Sequence, residues 1–218
     1  MRIVIAGGHG QIALRLERLL AARGNDVAGI IRRAEQGDDL RDVGAEPVLL
    51  DLESASVEEV AAHLRGADAA VFAAGAGPGS GAARKNTVDK AAAVLFADAA
   101  VLAGVRRFVI VSSMGADPRH EGDEIFDVYL RAKGEADAYV SGLDALDWTI
   151  LRPGALTDDA GTGLVRLEVH TGRGSIPRDD VAAVLAELLD TPATAGLTLE
   201  LISGSTPVSV AVKSVAGN

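Results

Sequence analysis

The chain of 218 residues contains no cysteine, which excludes disulfides and thiolate metal sites. Its four histidines (His9, His63, His120 and His170) show no ligand spacing, so no metal is expected. Aromatics make up only 3% of the chain, so the core must be built from aliphatic side chains. No apolar stretch is long enough to span a bilayer, and the first apolar run is broken by glycine too early to be a signal peptide. A cytoplasmic location is the expectation. Basic residues are outnumbered 31 to 21, for a net charge of −10. That balance argues against nucleic acid and against anionic membrane surfaces as partners, because both are bound through neutralising Lys and Arg. A small-molecule substrate is the expected partner instead.

What is present is alternation. Apolar residues are 48% of the chain, and strand and helix patterns follow one another with short connections. Strands are predicted at 2–6, 27–31, 47–50, 69–73, 107–112, 147–151 and 197–202. Helices are predicted at 11–23, 35–43, 55–64, 85–103, 127–141 and 178–190. This rhythm means an α/β fold, a doubly wound parallel sheet of Rossmann type. The expected strand order is 3-2-1-4-5-6, with the seventh strand beside the sixth. One domain spanning 1–218 is expected, in which 154–218 forms a short substrate-side region. Ligands should sit at the carboxyl ends of the strands. Two loops, 75–83 and 115–123, leave the sheet on that side and are candidate lids.

The densest signal is Ile3-Val4-Ile5-Ala6-Gly7-Gly8-His9-Gly10-Gln11-Ile12-Ala13. An apolar strand breaks into glycines and a helix follows at once, with Ile12, Leu16, Leu19 and Leu20 on one side. This is the first half of a dinucleotide-binding βαβ unit. Gly7 lets the chain turn, and Gly10 lets a pyrophosphate approach the backbone. The helix N-terminus at Gln11 and Ile12 offers free N–H groups to the phosphates, and His9 could face them as well.

Strand 2 ends in Arg32-Arg33, where an NAD protein would carry an acid for the ribose 2′-hydroxyl. Guanidinium forks match phosphate oxygens, so NADP(H) is expected in preference to NAD(H). Asp51 and Leu52, at the end of strand 3, are placed to meet adenine, while Ala73, Ala74 and Gly75 at the end of strand 4 leave room for a ribose. Strand 5 ends in Ser112-Ser113, and Tyr129 and Lys133 follow at i and i+4 on the next helix. A phenol beside an ammonium exchanges its proton more readily near neutrality, and a serine at the strand end can orient a carbonyl. Lys133 could also hold the nicotinamide ribose, and Pro153 at the end of strand 6 could turn backbone amides toward the carboxamide. Asp179 and Asp180, opening a helix after Pro177, are read as structural.

These pieces, in this order along nearly the whole chain, resemble the atypical short-chain dehydrogenase/reductases. The likeness is to their small NAD(P)-binding, NmrA-like branch, related to biliverdin and flavin reductases. The resemblance implies an NADP(H)-binding fold and a reductase site of Ser113 or Ser112 with Tyr129 and Lys133. It departs from the family at His9, where threonine or asparagine is usual, and at Ala13, where glycine is. The short region after Gly154 speaks against a full-length sugar epimerase. The expected function is reduction of a small carbonyl, quinone or flavin-like acceptor. The alternative is a non-catalytic NADP(H)-binding sensor that reports cofactor state to a protein partner.

Overall fold

The computed structural model of the chain describes residues 1–77 and 79–217; Pro78, inside the loop 75–83, and Asn218 lie outside them. The first six strands are β1 (Arg2–Ala6), β2 (Asp26–Ile31), β3 (Glu46–Leu49), β4 (Ala69–Phe72), β5 (Arg107–Val111) and β6 (Asp147–Pro153). The helices between them are α1 (Gln11–Ala22), α2 (Gly37–Asp42), α3 (Val57–Leu64), α4 (Ala82–Arg84), α5 (Ala92–Ala103) and α6 (Ile125–Ser141). Then come β7 (Ala155–Thr157), β8 (Leu164–Glu168), β9 (Ser175–Pro177), α7 (Arg178–Leu189), β10 (Leu197–Ser203), β11 (Thr206–Pro207) and α8 (Val208–Ala216).

Among the described residues, nine strands make one sheet in the order β11-β8-β10-β6-β5-β4-β1-β2-β3, and β7 pairs with β9 apart from it. From β3 to β10 every pairing is parallel, and β8 and β11 add an antiparallel edge. The expected order is borne out, β10 standing where the seventh strand was placed. The elements missing from the sequence reading are β7, β8, β9, β11 and α8.

The central strands are buried on both faces, as helices on each side require. Ile3, Ile5, Val71, Val109 and Leu151 face α1, α7 and α8. Val4, Ala70, Phe72, Ile110 and Ile150 face α3, α5 and α6. The fully buried aromatics, Phe72, Phe96 and Phe108, gather on the second face. Phe96 lies with ring centroids 6.1 Å from Phe72 and 5.9 Å from Phe108, in tilted pairs worth about 0.5–1.5 kcal/mol each beyond their burial.

Two local departures from the sequence pattern matter for the site. The buried face of α1 is Ala13, Leu16, Glu17 and Leu20, while Leu19 is exposed. Gly8 and Gly29 bring no side chains and leave a slot that the Glu17 carboxyl enters: a Cβ on Gly29 would stand 2.5 Å from its Oε1, and one on Gly8 2.9 Å from it. Between α4 and α5 the chain runs as a π-helix over Lys85–Ala91, where the prediction was an unbroken helix. Such wide turns are frequent at functional sites.

Candidate dinucleotide groove and reductase edge

The turn after β1 is shaped by contact. Gly7 has φ +78°, and a Cβ on it would fall 2.6 Å from Ala74 Cα at the end of β4. Gly10 is the N-cap of α1 and donates its own N–H to Gly7 O at 2.8 Å. It brings no capping side chain, and the first turn of α1 carries no acid. The opening N–H groups of α1, those of Gln11 and Ile12 among them, therefore keep their positive end for an anion. A dinucleotide pyrophosphate suits this cradle.

One groove collects most of the expected cofactor residues. Gly7, His9, Gly10, Arg32, Asp51, Leu52, Ala73, Ala74 and Gly75 all line it. His9 does so as a strut: its Nε2 meets Asp39 Oδ2 at 2.6 Å, tying the glycine turn to α2. Asp51 accepts the Glu53 N–H at 3.0 Å and so shapes the turn after β3. The helix-opening role belongs to Ser56, which exchanges hydrogen bonds with Glu59 in a capping box.

Sequence reasoning missed Gln36, Glu53, Arg84 and Val88, which line the same groove. Thr87 Oγ1 donates to Glu53 Oε1 at 2.7 Å, and Arg84 Nη2 donates to Oε2, also at 2.7 Å. The Thr87 hydrogen bond, followed by the Arg84 contacts, holds the Glu53 carboxyl below its ordinary range. Arg32 Nη1 stands 3.8 Å from the same carboxylate. Arg33 is directed elsewhere, its Nε 3.4 Å from Glu35. No spacing along the chain announces a meeting of positions 32, 53 and 84; the fold alone makes it.

Beyond the groove lies the edge expected to carry chemistry. The two serines are not equivalent. Ser112 is buried and donates to Asp137 Oδ2 at 2.8 Å, an oxygen that Arg152 also holds. Burial pushes the Asp137 carboxyl up despite that arginine. Ser113 is half-buried, its hydroxyl in a 3.3 Å contact with the carbonyl of Met114. Pro153 is buried at the end of β6, where its carbonyl receives the Met114 N–H at 3.0 Å.

Tyr129 is half-buried on the first turns of α6, stacked on Phe126 at 5.9 Å. The ammonium over its ring, 5.1 Å from the centroid, belongs to Lys85. Lys133 is turned inward: its Nζ donates to Val111 O at 3.1 Å and Ala74 O at 3.5 Å and pairs with Asp89 at 3.4 Å. The π-helix presents Lys85 and Asp89 to this edge together.

Both loops on this side are anchored. At the root of 75–83, Asp89 receives the Ala76 N–H at 3.3 Å and Lys85 donates to Gly77 O at 3.1 Å. The loop 115–123 lies on α6: Arg131 donates to His120 O and Gly122 O, and His120 meets Asp127 at 2.9 Å. Across the substrate-side region, Asp180 accepts from Thr162 and Gly163, and Asp179 accepts from Arg15 at 2.6 Å. Both acids thus tie down the 161–163 turn and α1, in keeping with a structural reading.

The family model described as NAD(P)H-binding matches residues 7–192. An uncharacterized sugar epimerase of Bacillus subtilis (strain 168), YhfK, is 37% identical over 98% of this chain and 99% of its own. A Bacillus halodurans protein named for the NAD-dependent epimerase/dehydratase class superposes with a TM-score of 0.90 at 37% identity, over 98% of this chain and 99% of that one. ChuY, an anaerobillin reductase from Escherichia coli O157:H7, superposes at 0.78 with 26% identity, over 93% and 97% of the two chains. Among the described residues no helix is long and apolar enough to cross a membrane.

Proposed function

The chain belongs to the NAD(P)H-binding family, and on that premise we propose that it is an NADP(H)-dependent oxidoreductase of the short-chain dehydrogenase/reductase type. Its acceptor is a small carbonyl, quinone or flavin-like molecule. The observation that carries the reading is a shared wall: Ala74 lines the glycine groove together with Arg32, and Lys133, one turn beyond Tyr129 on α6, donates to the Ala74 carbonyl. The reduced nicotinamide supplies a hydride when bound.

The protein's own residues do the rest. Gly7, Gly10 and the first turn of α1 hold the pyrophosphate, Arg32 meets the 2′-phosphate, and Asp51 and Leu52 border adenine. Ser113 orients the acceptor oxygen through its hydroxyl, and Tyr129 gives that oxygen a proton. Lys133, held by Asp89 and two carbonyls, keeps positive charge at the ends of β4 and β5, where it would favour a bound dinucleotide. The 154–218 region supplies the wall on the substrate side. ChuY, a reductase, supports this chemistry, while the epimerase names of YhfK and the Bacillus halodurans protein make nucleotide sugars a necessary arm of the test.

The test is a titration of the purified protein with NADPH and NADH, followed by a screen of carbonyls, quinones, flavins and nucleotide sugars. Tyr129→Phe should abolish turnover while NADPH still binds. Full activity in that variant, or isomerisation of a sugar with no net consumption of cofactor, overturns the assignment.

One observation favours a second reading. The Lys133 ammonium is already satisfied by protein acceptors, as in a domain that binds a dinucleotide without turning it over. A sensor of this kind consumes no NADPH with any acceptor and changes its binding to a protein partner when the cofactor is bound.

A further inference from the structure

The sequence places two arginines, and no acid, where β2 delivers the reader of the ribose 2′ position. The folded groove does hold an acid there, brought from the neighbouring turn. Glu53 follows β3, its side chain is 27% exposed, and its Oε2 stands 3.8 Å from Arg32 Nη1. It is not a loose surface carboxylate. Thr87 fixes one oxygen and Arg84 the other, each at 2.7 Å, so its position is set before any ligand arrives. Arg32, Glu53 and Arg84 all line the groove.

We propose that Glu53 sets the dinucleotide selectivity of this groove, in opposition to Arg32. The inference rests on the reading of the groove as an NAD(P)(H) site. A 2′-phosphate entering beside Arg32 must approach a fixed carboxylate, and it competes with that carboxylate for the guanidinium. A 2′-hydroxyl meets the reverse situation, because an ionised carboxylate is a good acceptor for it. With Glu53 in place the local charge of the three groups is +1; without it the two arginines face the phosphate unopposed. The groove therefore discriminates less sharply than its two consecutive arginines imply, and the carboxylate at 53 is the reason.

The experiment is equilibrium titration of the full chain with NADPH and with NADH, followed by the fluorescence of the reduced nucleotide at fixed, low ionic strength. Glu53→Gln should raise the affinity ratio of NADPH over NADH by about five- to tenfold, the scale of one partly exposed charge interaction. The gain should shrink as salt is added. Thr87→Val loosens the same turn without changing any charge, so it should affect both nucleotides alike and leave the ratio where it was. An unchanged ratio in Glu53→Gln overturns the proposal while leaving the dinucleotide reading intact. A ratio that moves as much in Thr87→Val as in Glu53→Gln also overturns it, since Glu53 would then act through the shape of the turn. If the unaltered chain binds neither nucleotide, the reading of the groove falls and this inference falls with it.

Discussion

Lys133 Nζ and Asp89 Oδ1 stand 3.4 Å apart, their side chains 4% and 1% exposed. The pair joins α6 to the π-helix directly beneath the carboxyl ends of β4 and β5. Its remaining hydrogen bonds are to backbone, the carbonyls of Val111 and Ala74 on one side and the Ala76 N–H on the other, and the Phe72 ring centroid lies 5.7 Å from the ammonium.

Removing either partner leaves a buried charge uncompensated. Lys133→Met and Asp89→Asn should each lower the unfolding free energy by about 3–5 kcal/mol, with the double variant losing clearly less than the sum. Urea unfolding of the four proteins at neutral pH measures this coupling. Strict additivity would show that the two groups do not act as a pair.

Glu17 should give stability an unusual pH dependence. Burial raises its carboxyl from 4.5 to about 8, and neither oxygen has a hydrogen-bond partner. The native chain therefore holds a proton that the unfolded chain releases. Stability from this group is complete below about pH 4.5, falls as pH rises, and levels off once the native carboxyl ionises near pH 8. The total is of order several kcal/mol. Glu17→Met keeps the length of the side chain without the titration, and should unfold at higher denaturant than the parent at pH 9. Identical urea midpoints for the two proteins at that pH would contradict this.

The two adjacent serines should separate stability from turnover. Ser112→Ala takes a donor from buried Asp137 and should cost about 1–3 kcal/mol of stability. Ser113→Ala should leave the melting temperature within about 1 °C and lower kcat/KM for whichever acceptor is reduced. Thermal melts paired with initial rates decide it, and a reversed pattern would exchange the roles assigned to the two hydroxyls.

The two arginines should separate as well. Arg32 lines the groove, whereas Arg33 is 56% exposed and turned to Glu35. Arg32→Ala should weaken NADPH by about tenfold or more and NADH much less, while Arg33→Ala should change neither by more than about twofold. Equal losses from the two substitutions would mean that the 2′ position is not read by the side chain that lines the groove.

The central sheet was legible because buried parallel strands leave short apolar runs punctuated by glycine, which chance seldom arranges so regularly. The glycine turn was legible for the same reason. The edge beyond β10 was harder to see. The alternation Val165-Arg166-Leu167-Glu168 carries a strand signal for β8 that is short and isolated, whereas the valines of α8 point locally to a strand rather than a helix. Along α1 the apolar pattern suggests Leu19 inside, but the glycines at 8 and 29 open a slot that Glu17 enters instead. The Tyr129–Lys133 spacing was correct as helix geometry, yet could not foretell that Asp89 would draw the lysine inward. The partners of Glu53 come from positions 31 and 34 residues further along the chain, a meeting that no local pattern encodes.

The π-helix at Lys85–Ala91 acts as a phase adjuster. A rod of uniform pitch running from Arg84 to Ala103 would have its angular setting dictated throughout by the packing of Ala93, Phe96, Ala97 and Ala100 in the core. Widening the coil for seven residues uncouples the two ends, so Arg84, Lys85 and Asp89 are aimed independently of the face that carries Phe96. The orientation of the ligand-side residues can then drift by single insertions or deletions in this segment while the interior stays as it is.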